Sequence, residues 1–295
     1  MCADRPTADS PAAGTDPALW NRTWASTATA QIAGLDQRIF DALASLLNVR
    51  GMDVLELGAG SGHLCRLMLD AGARGATLVD FSATALGRAR RELTGVGTCR
   101  FVQADLFDLP EDPRYGLVLS SGLAEHFSGE ARELVVRKHL ALSREWVCFI
   151  VPARPHPNTF RHRRARTRDL YGWQRAFSVD ELTGLVTAGG AFEVTASRRI
   201  LPLYGVTLLD LLGAREADAG RSAARAWNGL LRLKDRVLAR AGFYAGLERI
   251  LARSADRWGG LLIIVARRLD CGQRRLAPGV PNLQPVDSSQ PTLLD

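Results

Sequence analysis

The sequence has few lysines, few cysteines and no long apolar run. Only Lys138 and Lys234 among the 38 basic residues are lysines, which we interpret as the composition of a GC-rich genome. The five cysteines lack the spacing of a disulfide framework or a zinc site. The sequence contains no run of about 18 consecutive apolar residues, so it predicts no membrane-spanning helix. The first 18 residues lack the apolar core of a signal peptide. We therefore expect a cytoplasmic protein.

The basic character of the chain is unevenly distributed. The net charge is +7, and the excess of basic residues lies in residues 151–270, whereas residues 1–150 are slightly acidic. Arg161–Arg168 holds five arginines in eight residues. This segment fits capture of a substrate carboxylate or phosphate, contact with an anionic membrane surface or a solvated lid. We predict Arg161, Arg164 and Tyr171 as substrate contacts.

The hydrophobic pattern predicts one α/β domain, residues 19–270, between two disordered ends, residues 1–18 and 271–295. Short apolar runs alternate with segments of helical periodicity, which is typical of a doubly wound, mostly parallel sheet. The predicted strands are Asp53–Leu57, Ala76–Val79, Phe101–Ala104, Gly116–Ser120, Trp146–Val151, Phe192–Ser197 and Leu261–Ala266.

Three segments fall outside this alternation and are predicted to cap the domain: residues 19–31, 153–177 and 203–258. The last of them is predicted to be mostly helical. Its apolar stripe, which includes Leu230, Leu233 and Val237, fits either a cap over an active site or a helix docked on a membrane surface.

A glycine-rich turn, Glu56-Leu57-Gly58-Ala59-Gly60-Ser61-Gly62, closes the first predicted strand, and a helix follows directly. Glycines let the chain turn tightly and let a ligand approach the backbone. The N-terminus of the following helix favours an anionic group. The motif by itself also fits a plain tight turn, and Glu56 fits a solvent-facing charge at a strand end.

Acidic residues close the next two predicted strands. Asp80 lies 22 residues after Gly58 and can accept hydrogen bonds from the ribose hydroxyls of a nucleoside. Phe81 can cover one face of an adenine, and Asp105 can accept its amino group. These residues and Ser120 lie at the carboxyl ends of parallel strands, where ligands bind in such sheets. The alternatives are a helix N-cap for Asp80 and a turn residue for Asp105.

Taken together, these segments resemble the class I S-adenosylmethionine-dependent methyltransferase family. The resemblance is carried by Val54–Leu64, Leu78–Ser82, Phe101–Pro110 and Gly116–Phe127. It implies a seven-stranded sheet whose last strand is antiparallel and inserted between its neighbours. It also implies S-adenosylmethionine as cofactor, with these binding residues: Glu56, Gly58, Ala59, Gly60, Gly62, Asp80, Phe81, Asp105, Leu106 and Ser120.

Glu125 and His126, just after the fourth strand, are the predicted catalytic residues. A histidine there has a pKa suited to general-base work. The pair resembles the same place in quinone-biosynthesis O-methyltransferases, in which a further glutamate three residues earlier has been associated with a metal. Gly122 stands at that position, so no metal is predicted. The alternative for His126 is a residue that packs against the cofactor.

We therefore predict a methyltransferase that acts on oxygen or nitrogen of a small biosynthetic intermediate. One alternative is methylation of a lipid or quinone at a membrane surface, with peripheral membrane contact. RNA methylation and a non-enzymatic cofactor-binding regulator are more distant alternatives. The amino-directed DNA-methyltransferase run Asn/Asp-Pro-Pro-aromatic does not follow the fourth strand, and a nucleic-acid partner is not expected. The pattern leaves the oligomeric state open.

Overall fold

The computed structural model describes residues 16–26, 29–156, 169–202, 251 and 255–270. Seven strands in these ranges form one sheet with the order β3-β2-β1-β4-β5-β7-β6. The strands are β1 (Asp53–Leu57), β2 (Gly75–Asp80), β3 (Cys99–Gln103), β4 (Tyr115–Ser121), β5 (Ser143–Pro152), β6 (Phe192–Ile200) and β7 (Leu261–Arg268).

The described helices connect these strands and cover the sheet. They are α1 (Pro17–Ser26), α2 (Thr29–Ala44), α3 (His63–Asp70), α4 (Ala83–Glu92), α5 (Gly129–Leu142), α6 (Val179–Thr187) and α7 (Ala255–Trp258). Two short 3₁₀ helices, Leu106–Asp108 and Ala124–His126, follow β3 and β4. The sequence pattern did not predict these, since one turn is too short to show a helical period.

Alternate residues of the strands enter hydrophobic cores on both faces of the sheet, and a third, smaller cluster packs α4 against Ala76 and Leu78 of β2. The first core packs α5 and α6 against Leu55, Leu57, Val118, Val147, Phe149, Leu262 and Ile264. The second packs α2 and α3 against Val54, Leu117, Leu119, Cys148, Ile150, Ile263 and Val265. Because both faces are covered, the central strands are mostly apolar. Exceptions are Glu56 near the end of β1 and Ser120 and Ser121 at the end of β4.

The last strand lies where the family resemblance implied. β7 is antiparallel to both β5 and β6 and is inserted between them. Leu261 to Ala266 are buried without interruption, because neighbouring strands and both cores surround this strand. The predicted seven-stranded, mostly parallel sheet is confirmed.

The N-terminal boundary differs slightly from the prediction. α1 begins at Pro17, so the first residues of this helix fall in the segment predicted to be disordered. Asp16 Oδ1 accepts a hydrogen bond from the Ala18 main-chain N–H at 2.8 Å, and proline at the first helical position has its φ preset for a helix. Residues 1–15, 271–295 and nearly all of the predicted cap 203–258 lie outside the described residues.

None of the described helices has both the length and the apolar character needed to cross a membrane.

Gly62 and Gly51 provide a matched test of how tightly the glycine turn is packed. Both have a left-handed φ, +74° and +73°. A Cβ at Gly62 would lie 2.8 Å from Leu78 Cδ2 and 3.0 Å from Ala89 Cβ, whereas a Cβ at Gly51 meets nothing within 4 Å. We expect Gly51→Ala to cost about 1 kcal/mol of unfolding free energy from backbone strain. Gly62→Ala should cost about 1–3 kcal/mol more, because overpacking adds to that strain.

Urea unfolding of the two variants and the wild type measures this difference. Equal losses would show that the packing around the turn relaxes freely.

Candidate functional site

A cleft of about 640 Å³ opens at the carboxyl ends of the parallel strands. It lies beside β1 and β4, which are neighbours in the sheet. From β1 the chain continues to β2 on one side of this pair, and from β4 it continues to β5 on the other side. Such a switch point is where open α/β sheets bind ligands. The lining residues are Trp20, Trp24, Gly58, Val79, Asp80, Phe81, Ala104, Asp105, Leu106, Ser121, Gly122, Leu123, His126 and Phe127.

Gly58 of the glycine turn lines the floor of this site, and the rest of the turn lies behind it. Gly58, Gly60 and Gly62 all have positive φ, between +53° and +74°, a conformation that L side chains disfavour. The Gly58 N–H donates to the Val79 carbonyl at 2.8 Å, and the Gly60 N–H donates to Asp80 Oδ2 at 3.0 Å. The turn is therefore attached to the end of β2 as well as to β1.

Glu56 lies beneath this turn, fully buried. Its carboxyl group accepts a hydrogen bond from the main-chain N–H of Cys65, in the first turn of α3. Gly62, the N-cap of α3, has no side chain that could accept a hydrogen bond from the first turn of this helix. Glu56 of β1 supplies that acceptor instead. The alternative that Glu56 is a solvent-facing charge is wrong.

The second carboxylate oxygen of Glu56, Oε2, is buried without a hydrogen-bond partner among the described residues. Burial raises the pKa of Glu56 to about 8, the neighbouring carboxyls of Asp36 and Asp80 add to the shift, and hydrogen bonds from Cys65 oppose it. A buried oxygen of this kind suits a ligand that brings a cation or a donor.

Asp80, the last residue of β2, joins three segments of the chain. Its Oδ2 accepts from the Gly60 N–H, and its Oδ1 accepts from the Ser82 N–H at 2.8 Å. Burial raises the pKa of Asp80, and these two hydrogen bonds oppose the shift. The N-cap of α4 is Ser82, whose side chain accepts from the Ala85 N–H. The alternative that Asp80 caps this helix is therefore wrong.

Phe81, Asp105 and Leu106 form one wall of the cleft. Asp105 also caps the 3₁₀ helix that follows β3, because its Oδ1 accepts from the Phe107 N–H at 3.0 Å. The turn role that the sequence left open for Asp105 is thus present. It does not compete with a place at the cleft, since a carboxylate offers about four acceptor positions.

His126 lies at the other side of the cleft and is 2% exposed. Its Nδ1 is 3.0 Å from the main-chain oxygen of Trp173. The ring also makes an edge-on contact with Trp20 of α1, with ring centroids 4.9 Å apart. Because a carbonyl oxygen can only accept, the neutral imidazole carries its proton on Nδ1 and has Nε2 as its acceptor nitrogen.

Helix α1 closes the cleft with two tryptophans that the sequence analysis did not single out. The indole of Trp24 covers Gly60 so closely that a Cβ there would lie 2.3 Å from Trp24 Cζ2. Asn21 anchors the helix, since its Oδ1 accepts from Ser82 Oγ at 2.6 Å. Trp20 and Trp24 are four residues apart and so share one face of a helix, a signal that the sequence did contain.

Other predicted site residues lie outside the lining of the cleft. Glu56, Ala59, Gly60, Gly62 and Ser120 lie behind or beside it, and Ser120 Oγ is buried without a partner among the described residues. Tyr171 is half-buried and also does not line it. Arg161 and Arg164 lie outside the described residues.

Glu125, the neighbour of His126 in the sequence, also lies outside the lining of the cleft. Its side chain is buried and has one oxygen, Oε2, without a partner among the described residues. Burial raises the pKa of Glu125 to about 7, and the charge of Arg132 opposes the shift. Within the described ranges, no three His, Cys, Asp or Glu side chains are grouped closely enough to hold a metal ion.

Comparison with known proteins identifies related folds. Residues 54–145 match the family model described as a methyltransferase domain. The magnesium protoporphyrin IX methyltransferase of Synechocystis PCC 6803, solved with bound SAH, is 13% identical with a TM-score of 0.52, over 85% of this chain and 93% of that one. A DhpI-SAM-HEP complex is 22% identical with a TM-score of 0.50, over 62% and 89%. No relative was found among curated proteins.

Glu56 provides a test of the electrostatics beneath the glycine turn. Its pKa in the folded protein, about 8, is above its ordinary value of 4.5, so the folded state holds the proton more tightly than the unfolded state. The stabilisation is complete below about pH 4.5 and is lost as the pH rises to about 8, at up to ~1.4 kcal/mol per pH unit. Glu56→Gln stays neutral and should escape this loss.

The free energy of unfolding, measured in urea between pH 5 and 8, should therefore rise in Glu56→Gln relative to the wild type as the pH increases. Glu133→Gln, at an exposed position of α5, serves as the control and should follow the wild-type curve. Parallel curves for all three proteins would mean that Glu56 is ionised at neutral pH.

Proposed function

We propose that this chain, whose residues 54–145 match the family model of a methyltransferase domain, is a class I S-adenosylmethionine-dependent methyltransferase that methylates oxygen or nitrogen of a small biosynthetic intermediate. The observation that carries this proposal is the composition of one cleft. It has a glycine turn and two strand-end carboxylates on one side and a histidine of defined tautomer on the other. The first group is suited to a nucleoside cofactor, and the second to an acceptor that must lose a proton.

The residues present fit S-adenosylmethionine. Asp80 would hold the ribose hydroxyls, and Phe81, Asp105 and Leu106 would hold the adenine. Support comes from the position of all four on the cleft wall and from the spare acceptor positions of both carboxylates. The unpartnered oxygen of Glu56 is buried beneath the turn and does not line the cleft, so it would favour the cationic methionine end from beneath the turn rather than by contact. Gly58 lines the cleft without a side chain of its own, whereas the indole of Trp24 covers Gly60.

The cofactor supplies a methyl group that is already activated by its sulfonium. The protein therefore contributes alignment in a dry site and removal of the acceptor's proton. We assign proton removal to His126 Nε2. The Trp173 carbonyl holds the imidazole proton on Nδ1 and would also stabilise the imidazolium that forms. Glu125 then acts as a buried neighbour rather than as a group that touches the acceptor, which revises its predicted catalytic role.

The acceptor end of the cleft is apolar and aromatic. Trp20 contacts His126 edge-on, and Trp24, Leu123 and Phe127 line the same cleft. Flat apolar surfaces favour an acceptor with an aromatic or similarly flat apolar part beside its reactive oxygen or nitrogen. An anionic group on the same molecule would be held by Arg161 and Arg164, whose charges match it. A cleft of about 640 Å³ has the size of a small-molecule site.

The cofactor assignment is tested with Asp80→Asn. The two oxygens of Asp80 accept main-chain N–H groups, so an amide turns an NH₂ group toward one of these donors and disturbs the ribose position. Calorimetry should show binding of S-adenosylmethionine or S-adenosylhomocysteine to the wild type and none of NADH. Asp80→Asn should weaken that binding by about 1–3 kcal/mol.

Asp53→Asn is the matched control, because Asp53 begins β1 at the opposite edge of the sheet and should leave cofactor affinity unchanged. Equal affinity in Asp80→Asn and the wild type would remove Asp80 from the ribose site.

The catalytic assignment is tested with His126→Gln. Turnover is measured as acceptor-dependent formation of S-adenosylhomocysteine with a panel of phenols, hydroxyquinones and amines. We expect a loss of about 10²–10⁴-fold, because the general base is absent, with cofactor affinity close to that of the wild type. His63→Gln, a substitution on α3 outside the cleft, should retain turnover.

A loss of less than about threefold in His126→Gln would leave alignment alone as the source of catalysis. Methyl transfer to RNA, with no transfer to any member of the panel, would contradict the proposed acceptor class.

A further inference from the structure

Arg132 is a buried arginine of α5 whose guanidinium binds main-chain oxygens from two different segments. The side chain is 3% exposed. Its Nη1 donates to the carbonyls of Phe127 at 3.3 Å and Arg175 at 3.1 Å, and its Nη2 donates to that of Ala176 at 3.2 Å. Nε donates to Glu181 Oε1 at 3.0 Å. A single side chain therefore connects the end of the second 3₁₀ helix, the segment 173–177 and α6.

Two of the segments that Arg132 connects, the end of the second 3₁₀ helix and residues 173–177, are the ones that hold His126. Phe127 directly follows His126, and Arg175 lies two residues after Trp173, whose carbonyl oxygen pairs with His126 Nδ1. The Arg175 N–H also donates to the Glu125 carbonyl at 2.8 Å. The distance between the imidazole and the Trp173 carbonyl thus depends on how these segments are fastened together.

We propose that Arg132 is a positioning residue for His126: by binding the Phe127, Arg175 and Ala176 carbonyls together, it holds the Trp173 carbonyl against Nδ1 and so fixes the tautomer that makes Nε2 the base. The catalytic part of this inference rests on the proposed function of His126. The tautomer part rests on the geometry alone.

The geometry requires a guanidinium. Its donors spread in a rigid plane and reach acceptors on three sides, whereas a lysine carries all its donors on one nitrogen. The plane lies on the ring of Phe177, with Cζ 3.2 Å from the ring centroid, which holds the fork in one orientation. Burial lowers the pKa of Arg132 to about 10, and Glu181 opposes the shift, so the group keeps its charge at neutral pH.

Arg268 is a matched control for the purely structural effect of losing such an arginine. Its guanidinium also binds main-chain carbonyls, those of Leu140 and Ser143 at 2.7 Å, and it also lies over a phenylalanine, Phe192. It fastens the end of α5 and does not line the cleft. A substitution of Arg268 therefore also removes main-chain contacts of a guanidinium, at a less buried position, but has no connection to His126.

The experiment compares Arg132→Lys and Arg268→Lys, each saturated with S-adenosylhomocysteine. Protein with ¹⁵N-labelled imidazoles is used to record the Nδ1 and Nε2 shifts of the neutral histidines, and loss of a signal in His126→Gln assigns His126. The wild type should show a single tautomer, protonated at Nδ1. Arg132→Lys should show averaged shifts with protonation at both nitrogens, and Arg268→Lys should match the wild type.

Turnover is the second readout. Arg132→Lys should lower kcat about 10²-fold, the usual cost of a misplaced reacting group, with the affinity for S-adenosylhomocysteine unchanged. If Arg132→Lys does not fold, Glu181→Gln, which keeps the arginine but removes its ion-pair partner, should produce the same change in tautomer to a smaller degree.

A wild-type tautomer in Arg132→Lys, or in Glu181→Gln where the lysine variant does not fold, would overturn the proposal. So would equal changes in Arg132→Lys and Arg268→Lys. Failure of the proposed function is a separate result: full turnover in His126→Gln removes the base, whereas the tautomer of His126 still tests Arg132.

Discussion

The cleft depends on the carboxylate of Asp80 more than on any other single group. One of its oxygens holds the N–H of Gly60, and the other holds the N–H of Ser82. The glycine turn after β1 and the start of α4 after β2 are thereby held at one point. The pairing of parallel strands would not by itself fix these two segments relative to each other. The buried carboxylate at the end of β2 does so, and it thereby sets the shape of the floor of the cleft. Burying a carboxylate costs free energy, and the hydrogen bonds from its two main-chain donors offset this cost.

A second set of contacts encloses the reactive side of the cleft. α1 brings Trp20 against His126 and Trp24 over Gly60. The segment after β5 brings the Trp173 carbonyl to the same imidazole, and Thr23 of α1 donates to the Leu170 carbonyl of that segment. The two covering segments therefore contact each other as well as the histidine. A wall of this kind excludes water, which strengthens the electrostatic interactions inside it.

Buried carboxyl groups beneath the turn are the electrostatic counterpart of this enclosure. Burial raises the pKa of Asp36 to about 6 and that of Glu56 to about 8, so at neutral pH Glu56 is mostly protonated and Asp36 mostly ionised. A cationic ligand would favour their ionised forms, and its binding would release protons. The floor is thus matched to a cofactor that is cationic at its methionine end.

The sequence by itself determined the sheet, the glycine turn and the two strand-end aspartates. These are local features: apolar runs of strand length, glycines where the chain must turn, and a carboxylate at each strand end, which parallel strands necessarily bring to one edge. The partners of His126 were decided only by the tertiary structure. A main-chain carbonyl 47 residues away, such as that of Trp173, leaves no signature in the sequence, because every residue has one. The same reason hid Arg132, whose acceptors are three carbonyls that only the folded chain brings within reach of one guanidinium.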